Sequence, residues 1–216
     1  MDAPSDKASS NTSSLSLLLD TAARAFSYPD EGIAATLGPL ASVCDGDAAI
    51  PSELVESAQR VLEASDCFAD DTAEKLAYTR LFIGSLEMEA PPYASYYMTD
   101  NRTLNGRVAA EVEAVYNQFG LQLGDGEIAP PDHLRYLLTF LSLLAARYEE
   151  TGEEAFAEAY ADFRDAYVMP WFGQFQELVA QNADAPYYPA LVSLIGDLLG
   201  VDASKVTDTF DASTGK

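Results

Sequence analysis

The chain has 216 residues, of which 48% are hydrophobic and 11% aromatic, and its formal net charge is −23. That length supports one core without disulfide staples, and that aromatic content excludes a disordered chain. The charge excludes nucleic acid and anionic membrane surfaces as partners, because a field of this sign repels phosphate.

The chain divides into short helical stretches. Residues 1–13 are rich in Ser, Asp and Asn and are expected to be a disordered tail. Ser14 is placed to cap a first helix to about Ser27, with Leu15, Leu18, Leu19, Ala22 and Phe26 at helical spacing. Tyr28-Pro29 ends it, since the residue before proline avoids the helical region. A second helix is expected over Glu31–Val43, and a third from Ser52 as its cap, with Leu54, Val55, Ala58, Val61 and Leu62 on one stripe. A fourth runs from Asp71 to Gly84. Met88–Tyr97 breaks the pattern, because Pro91-Pro92 forces an extended chain. Helix returns over Asn105–Phe119, and after a Gly- and Asp-rich loop over Asp132–Glu150, the latter lined by Leu134, Leu137, Leu138 and Leu141. Glu153–Val168, Trp171–Gln181 and Tyr188–Leu199 complete the set, with Pro170 as a kink or stop between the first two. Residues 201–216 are a mostly polar tail.

No stretch alternates with period two, so the expected fold is all-α: a single-domain helical bundle over residues 14–200 with long Pro-rich connectors. Cys44 and Cys67 form no Cys-x-x-Cys pair and are too few for a disulfide framework, which favours a reducing compartment. No basic start leads into an apolar run at Met1–Ser14, and no stretch reaches the roughly 20 apolar residues of a membrane span. The expected location is cytoplasmic, with no stable membrane insertion.

Catalytic patterns are missing. His133 is the single histidine, which rules out a paired Glu-x-x-His di-iron site and a His-Glu-x-x-His zinc site. There is no Gly-x-Gly-x-x-Gly, no phosphate-binding Gly-x-x-x-x-Gly-Lys loop and no Gly-x-Ser-x-Gly elbow. The expectation is a protein that is not an enzyme and carries no metal and no cofactor of its own.

Two breaks stand out instead. Tyr78-Thr79-Arg80-Leu81-Phe82 leads into Ala90-Pro91-Pro92-Tyr93-Ala94-Ser95-Tyr96-Tyr97, and Pro131-Asp132-His133-Leu134 opens the leucine-rich helix. Each has a plain structural reading. Asp132 suits a helix start, where it satisfies free N–H groups, and Pro-Pro-Tyr suits a fixed connector whose tyrosines pack on the core. In order, however, Tyr78/Leu81/Phe82, Ala90–Tyr97, Tyr116/Gly120/Leu121 and Pro131–Leu134 resemble the TorD/DmsD family of cytoplasmic chaperones for molybdenum enzymes. Pro170-Trp171 and Tyr187-Tyr188 extend the likeness, which spans roughly Leu15 to Leu199. The chain departs from the pattern at Ala129-Pro130 and at Tyr167, where the family often carries Glu and His.

The resemblance implies a chaperone that binds the twin-arginine leader, and the apo form, of a molybdopterin oxidoreductase catalytic subunit and holds it until cofactor insertion and export. The alternative within the family is assembly of a membrane-anchored, non-exported nitrate-reductase-type enzyme. The implied peptide site is Tyr93, Ser95, Tyr97, Asp132, His133 and Trp171. Asp132 would pair a leader arginine or fix the hinge, His133 would hydrogen-bond across the hinge, and Tyr93, Tyr97 and Trp171 would line the apolar part. The chain would act as a monomer or a dimer.

Overall fold

The computed structural model describes residues 15–30, 32–44, 50–84, 88–124 and 129–204. Ser14, the tail at 1–13 and the tail from residue 205 lie outside the described residues. The described chain is all-α, as its periodicity implies. Its helices are α1 (Leu15–Ala25), α2 (Gly38–Cys44), α3 (Ser52–Ser65), α4 (Asp71–Tyr78), α5 (Ala94–Met98), α6 (Arg107–Gln118), α7 (Leu134–Thr151), α8 (Glu154–Tyr167), α9 (Met169–Asn182) and α10 (Tyr187–Leu199).

The last-but-one helix starts earlier than expected, at Met169, with Pro170 accommodated in its first turn, where a missing N–H costs nothing. Three further boundaries differ from the sequence expectation, each for a backbone reason. The helix expected over Glu31–Val43 is a 3-10 turn at Ile33–Thr36 followed by α2. Pro39 has no N–H to give to a preceding turn, so the helix cannot run through it. Pro51, not Ser52, holds the cap position of α3; its carbonyl accepts from the N–H groups of Leu54 at 3.0 Å and Val55 at 3.2 Å. The extended stretch after the paired prolines is shorter than expected, since Ala94–Met98 recovers one helical turn as soon as the prolines end.

α7 is the central helix and packs most extensively on α1 and α8. α10 lies against α3, α9 and α1. Leu134, Leu137, Leu138 and Leu141 of α7, with Leu18, Leu19 and Ala22 of α1, are sealed from solvent as their spacing implies. Glu149 near the end of α7 accepts from the Ser16 N–H at 3.1 Å and from the Ser16 hydroxyl at 2.5 Å. It thus satisfies free donors at the start of α1 with a charge of favourable sign. α7 stops at Gly152, whose φ of +68° and ψ of 13° form the left-handed turn that releases the chain into α8.

α4 continues without a break into a π turn at Thr79–Ile83, ended by Gly84 at φ +65°. A π turn tucks one extra residue into the helix and so rotates the side chains beyond it. Here it directs Phe82 into a buried aromatic group with Phe26 at 4.8 Å, Tyr78 at 5.1 Å and Tyr188 at 5.1 Å between ring centroids. That group is the floor beneath the Pro-rich connector.

Candidate functional site

The two Pro-rich breaks meet. Leu134 N–H donates to the Pro92 carbonyl at 2.8 Å, and Ala94 N–H donates to the Asp132 carbonyl at 3.1 Å. These bonds make Tyr93 and His133 an isolated antiparallel bridge in an otherwise helical chain. Prolines on both arms fix the extended backbone such a bridge needs. Two further ties hold it in place: Ala90 N–H donates to the Leu81 carbonyl at 2.8 Å, and the Tyr116 hydroxyl donates to the Pro131 carbonyl at 3.1 Å.

Asp132 is 0% exposed. Its Oδ2 accepts from Ser95 N–H at 2.7 Å. It therefore caps α5, a helix 37 residues earlier in sequence, and not the helix it directly precedes. Its other oxygen, Oδ1, and the Ser95 hydroxyl are buried without a hydrogen-bond partner. Of the two roles expected for Asp132, the geometry fits fixing the hinge.

His133 takes the cap position of α7, and its Nδ1 accepts from Arg135 N–H at 3.1 Å. The ring's own proton then sits on Nε2. The ring meets Tyr93 edge to face at 5.0 Å. Burial, aided by the neighbouring Arg135 charge, lowers the His133 pKa to about 3, so the ring is neutral near pH 7. Burial, and secondarily the Asp132 carboxylate, raises the Tyr93 phenol.

The sign of the His133 shift fixes a pH dependence. The unfolded chain takes up a proton below about pH 6.5, whereas folded His133 refuses it until about pH 3. Stability contributed by the neutral ring is thus present above that window and is lost as the pH falls through it. Between about pH 7 and about pH 5 the wild-type melting temperature should drop more steeply than that of His133→Gln; equal slopes in thermal melts would contradict the assignment.

Two clefts lie against these elements. One, of about 470 Å³, is lined by Tyr28, Tyr78, Phe82, Ile83, Tyr93 and His133, together with the charged Asp30 and Arg135. Tyr28 and Ile83 are 40% and 52% exposed, a large apolar area for a surface position. The other, of about 460 Å³, lies between α5 and α9 and is more polar, lined by Tyr96, Tyr97, Arg102, Gln174 and Glu177.

The sequence-derived site residues are distributed over this arrangement. Tyr93 and His133 line the first cleft, and Tyr97 lines the second. Ser95 and Asp132 are buried and line neither cleft. Trp171 is 1% exposed and stacks beneath Tyr97 at 5.2 Å and 14° between ring planes. Its Nε1 donates to the Tyr167 carbonyl at 2.6 Å. Trp171 therefore supports Tyr97 from inside the bundle. Tyr28, Ile83 and Tyr136 also line the first cleft, although no sequence pattern singles them out.

The family model for the nitrate reductase delta subunit matches residues 39–177. Among curated proteins, the chain is 29% identical over 163 residues to the chaperone protein TorD of Vibrio vulnificus, covering 72% of this chain and 74% of that one. It is also 29% identical over 118 residues to the Tat proofreading chaperone DmsD of Salmonella paratyphi A, covering 55% and 54%. Among solved structures, a putative redox enzyme maturation protein from Archaeoglobus fulgidus superposes with a TM-score of 0.54 at 24% identity, over 93% of this chain and 100% of that one. That likeness is one of fold.

Proposed function

Because this chain belongs to the nitrate reductase delta subunit family, and is similar to the TorD and DmsD chaperones, we propose that it is a cytoplasmic maturation chaperone and not an enzyme. Its client is the catalytic subunit of a molybdopterin oxidoreductase. It holds the twin-arginine leader and the apo subunit until the cofactor is inserted and export occurs.

The observation that carries this reading is the aromatic cleft beside the Tyr93–His133 bridge. An apolar leader segment gains contact area there without the cleft having to be built first, because the bridge already fixes its wall. Holding followed by release requires moderate affinity; a micromolar dissociation constant corresponds to roughly 8 kcal/mol. A few apolar anchors and a charge-assisted bond to an arginine supply that much.

Titration calorimetry tests the proposal. The leader peptide encoded with the nearest molybdoenzyme should bind with a micromolar constant, and an Arg-Arg→Lys-Lys version should bind more weakly, since lysine lacks the planar fork that pairs with a carboxylate. A folded protein that binds no such leader would refute leader holding. The match to the nitrate reductase delta subunit favours a second reading, assembly of a membrane-anchored enzyme that is not exported. On that reading the protein binds the catalytic subunit, and removing the subunit's N-terminal segment leaves the affinity unchanged.

A further inference from the structure

We propose that Asp30 receives the cationic end of the client segment and so sets the preference for arginine; this rests on the leader-holding reading above. The aromatic cleft does not end at Tyr28. A smaller cleft of about 190 Å³ continues past it, lined by Pro29, Gly32, Ile33 and Thr36, and the two share Ser27, Tyr28 and Asp30. The Tyr28 ring lines both and packs edge to face on Tyr78 at 5.5 Å. A peptide laid along the two clefts passes Tyr28, and Asp30 is the carboxylate common to both.

Among the described residues, Asp30 is the acid that lines either cleft. Asp132 is sealed, with Oδ2 committed to Ser95 N–H. Glu74 accepts from Ile33 N–H at 3.0 Å behind the turn. Arg24, which lines the smaller cleft, is ion-paired with Asp20. Arg135 lies over the Tyr136 ring at 5.3 Å. Asp30 is exposed and has no ion-pair partner among the described residues.

The chemical class of the occupant is set by this lining. It is a peptide segment with a guanidinium next to an apolar run. The guanidinium forms a paired hydrogen bond with the Asp30 carboxylate and lays its face on Tyr28, while the apolar run fills the larger cleft. An ammonium group lacks the planar face for the stacking contact.

The test is a double-mutant cycle on the full chain, read by fluorescence anisotropy. The probes are a synthetic peptide with two consecutive arginines before an apolar stretch and its Arg-Arg→Gln-Gln version. Asp30→Asn should weaken the arginine peptide about tenfold and leave the glutamine peptide unchanged. Glu158→Gln, an exposed acid on α8, should change neither. If Asp30→Asn weakens both peptides equally, or neither, the assignment is overturned. Wild-type protein that binds both peptides equally well overturns it too, yet leaves leader holding intact as apolar recognition. Wild-type protein that binds neither peptide refutes leader holding, and the role of Asp30 with it.

Discussion

Trp171→Ala is expected to lower the unfolding free energy by about 3–5 kcal/mol, the range for removing a buried large aromatic side chain. The indole is 1% exposed, stacks on Tyr97 at 5.2 Å, and meets Phe175 at 5.7 Å and Phe172 at 6.4 Å. Neither phenylalanine is free to move into the space, because Phe175 is itself sealed and both sit on the same rigid helix, α9. Trp171→Phe keeps most of the ring contact and loses the bond from Nε1 to the Tyr167 carbonyl, so it should cost about 1 kcal/mol plus a smaller packing loss. Urea denaturation measures both. Leader affinity separates support from contact. With Trp171 beneath Tyr97, Trp171→Phe should leave the affinity of the folded protein within about twofold of wild type. A larger loss would mean that the indole itself touches the peptide.

Asp132→Ala should lower stability by about 1–3 kcal/mol, because it strands the Ser95 N–H in a sealed site. Leader affinity should fall with it. Losing the cap loosens α5 and therefore the Tyr93 arm of the bridge, which forms the cleft wall. Asp132→Asn decides what the carboxylate does. Its amide oxygen still accepts from Ser95 N–H, and the substitution removes a buried charge with one unpartnered oxygen. If Asp132 positions the hinge, the Asn variant recovers both stability and leader affinity. If Asp132 pairs directly with a leader arginine, the Asn variant stays stable but binds as weakly as the Ala variant. Denaturation and calorimetry on the two variants give the answer in one comparison.

The helices were legible because their apolar residues recur at three and four positions, and burial tracks that spacing in α1, α3 and α7. The misplaced boundaries share a cause. Pro39, Pro51 and the Pro91-Pro92 pair act through single N–H groups, and periodicity does not register which carbonyl loses its donor. Both halves of the bridge were visible as breaks, because consecutive prolines are strong local signals. Their pairing was not visible, since a bridge between Tyr93 and His133 depends on how α6 returns the chain, which no local window contains. Asp132 shows the same limit. Locally it reads as a cap for the helix beginning at Leu134, but in space the nearest free donor is Ser95 N–H. Tyr28 and Asp30 carry no signal of their own, because Tyr28-Pro29-Asp30 reads as a plain helix stop.

The chain between the two bridge residues carries α5 and α6 and returns to the same point, pinned at its base by the carbonyls of Pro92 and Asp132 and by the Asp132 carboxylate. Lengthening a loop whose ends are already joined costs little, about 0.6 kcal/mol for each doubling. Residues added between Leu121 and Gly124 would therefore extend that excursion while Tyr93 and His133 kept their places. The tight bridge at the neck of this segment would hold the cleft wall in place through such changes.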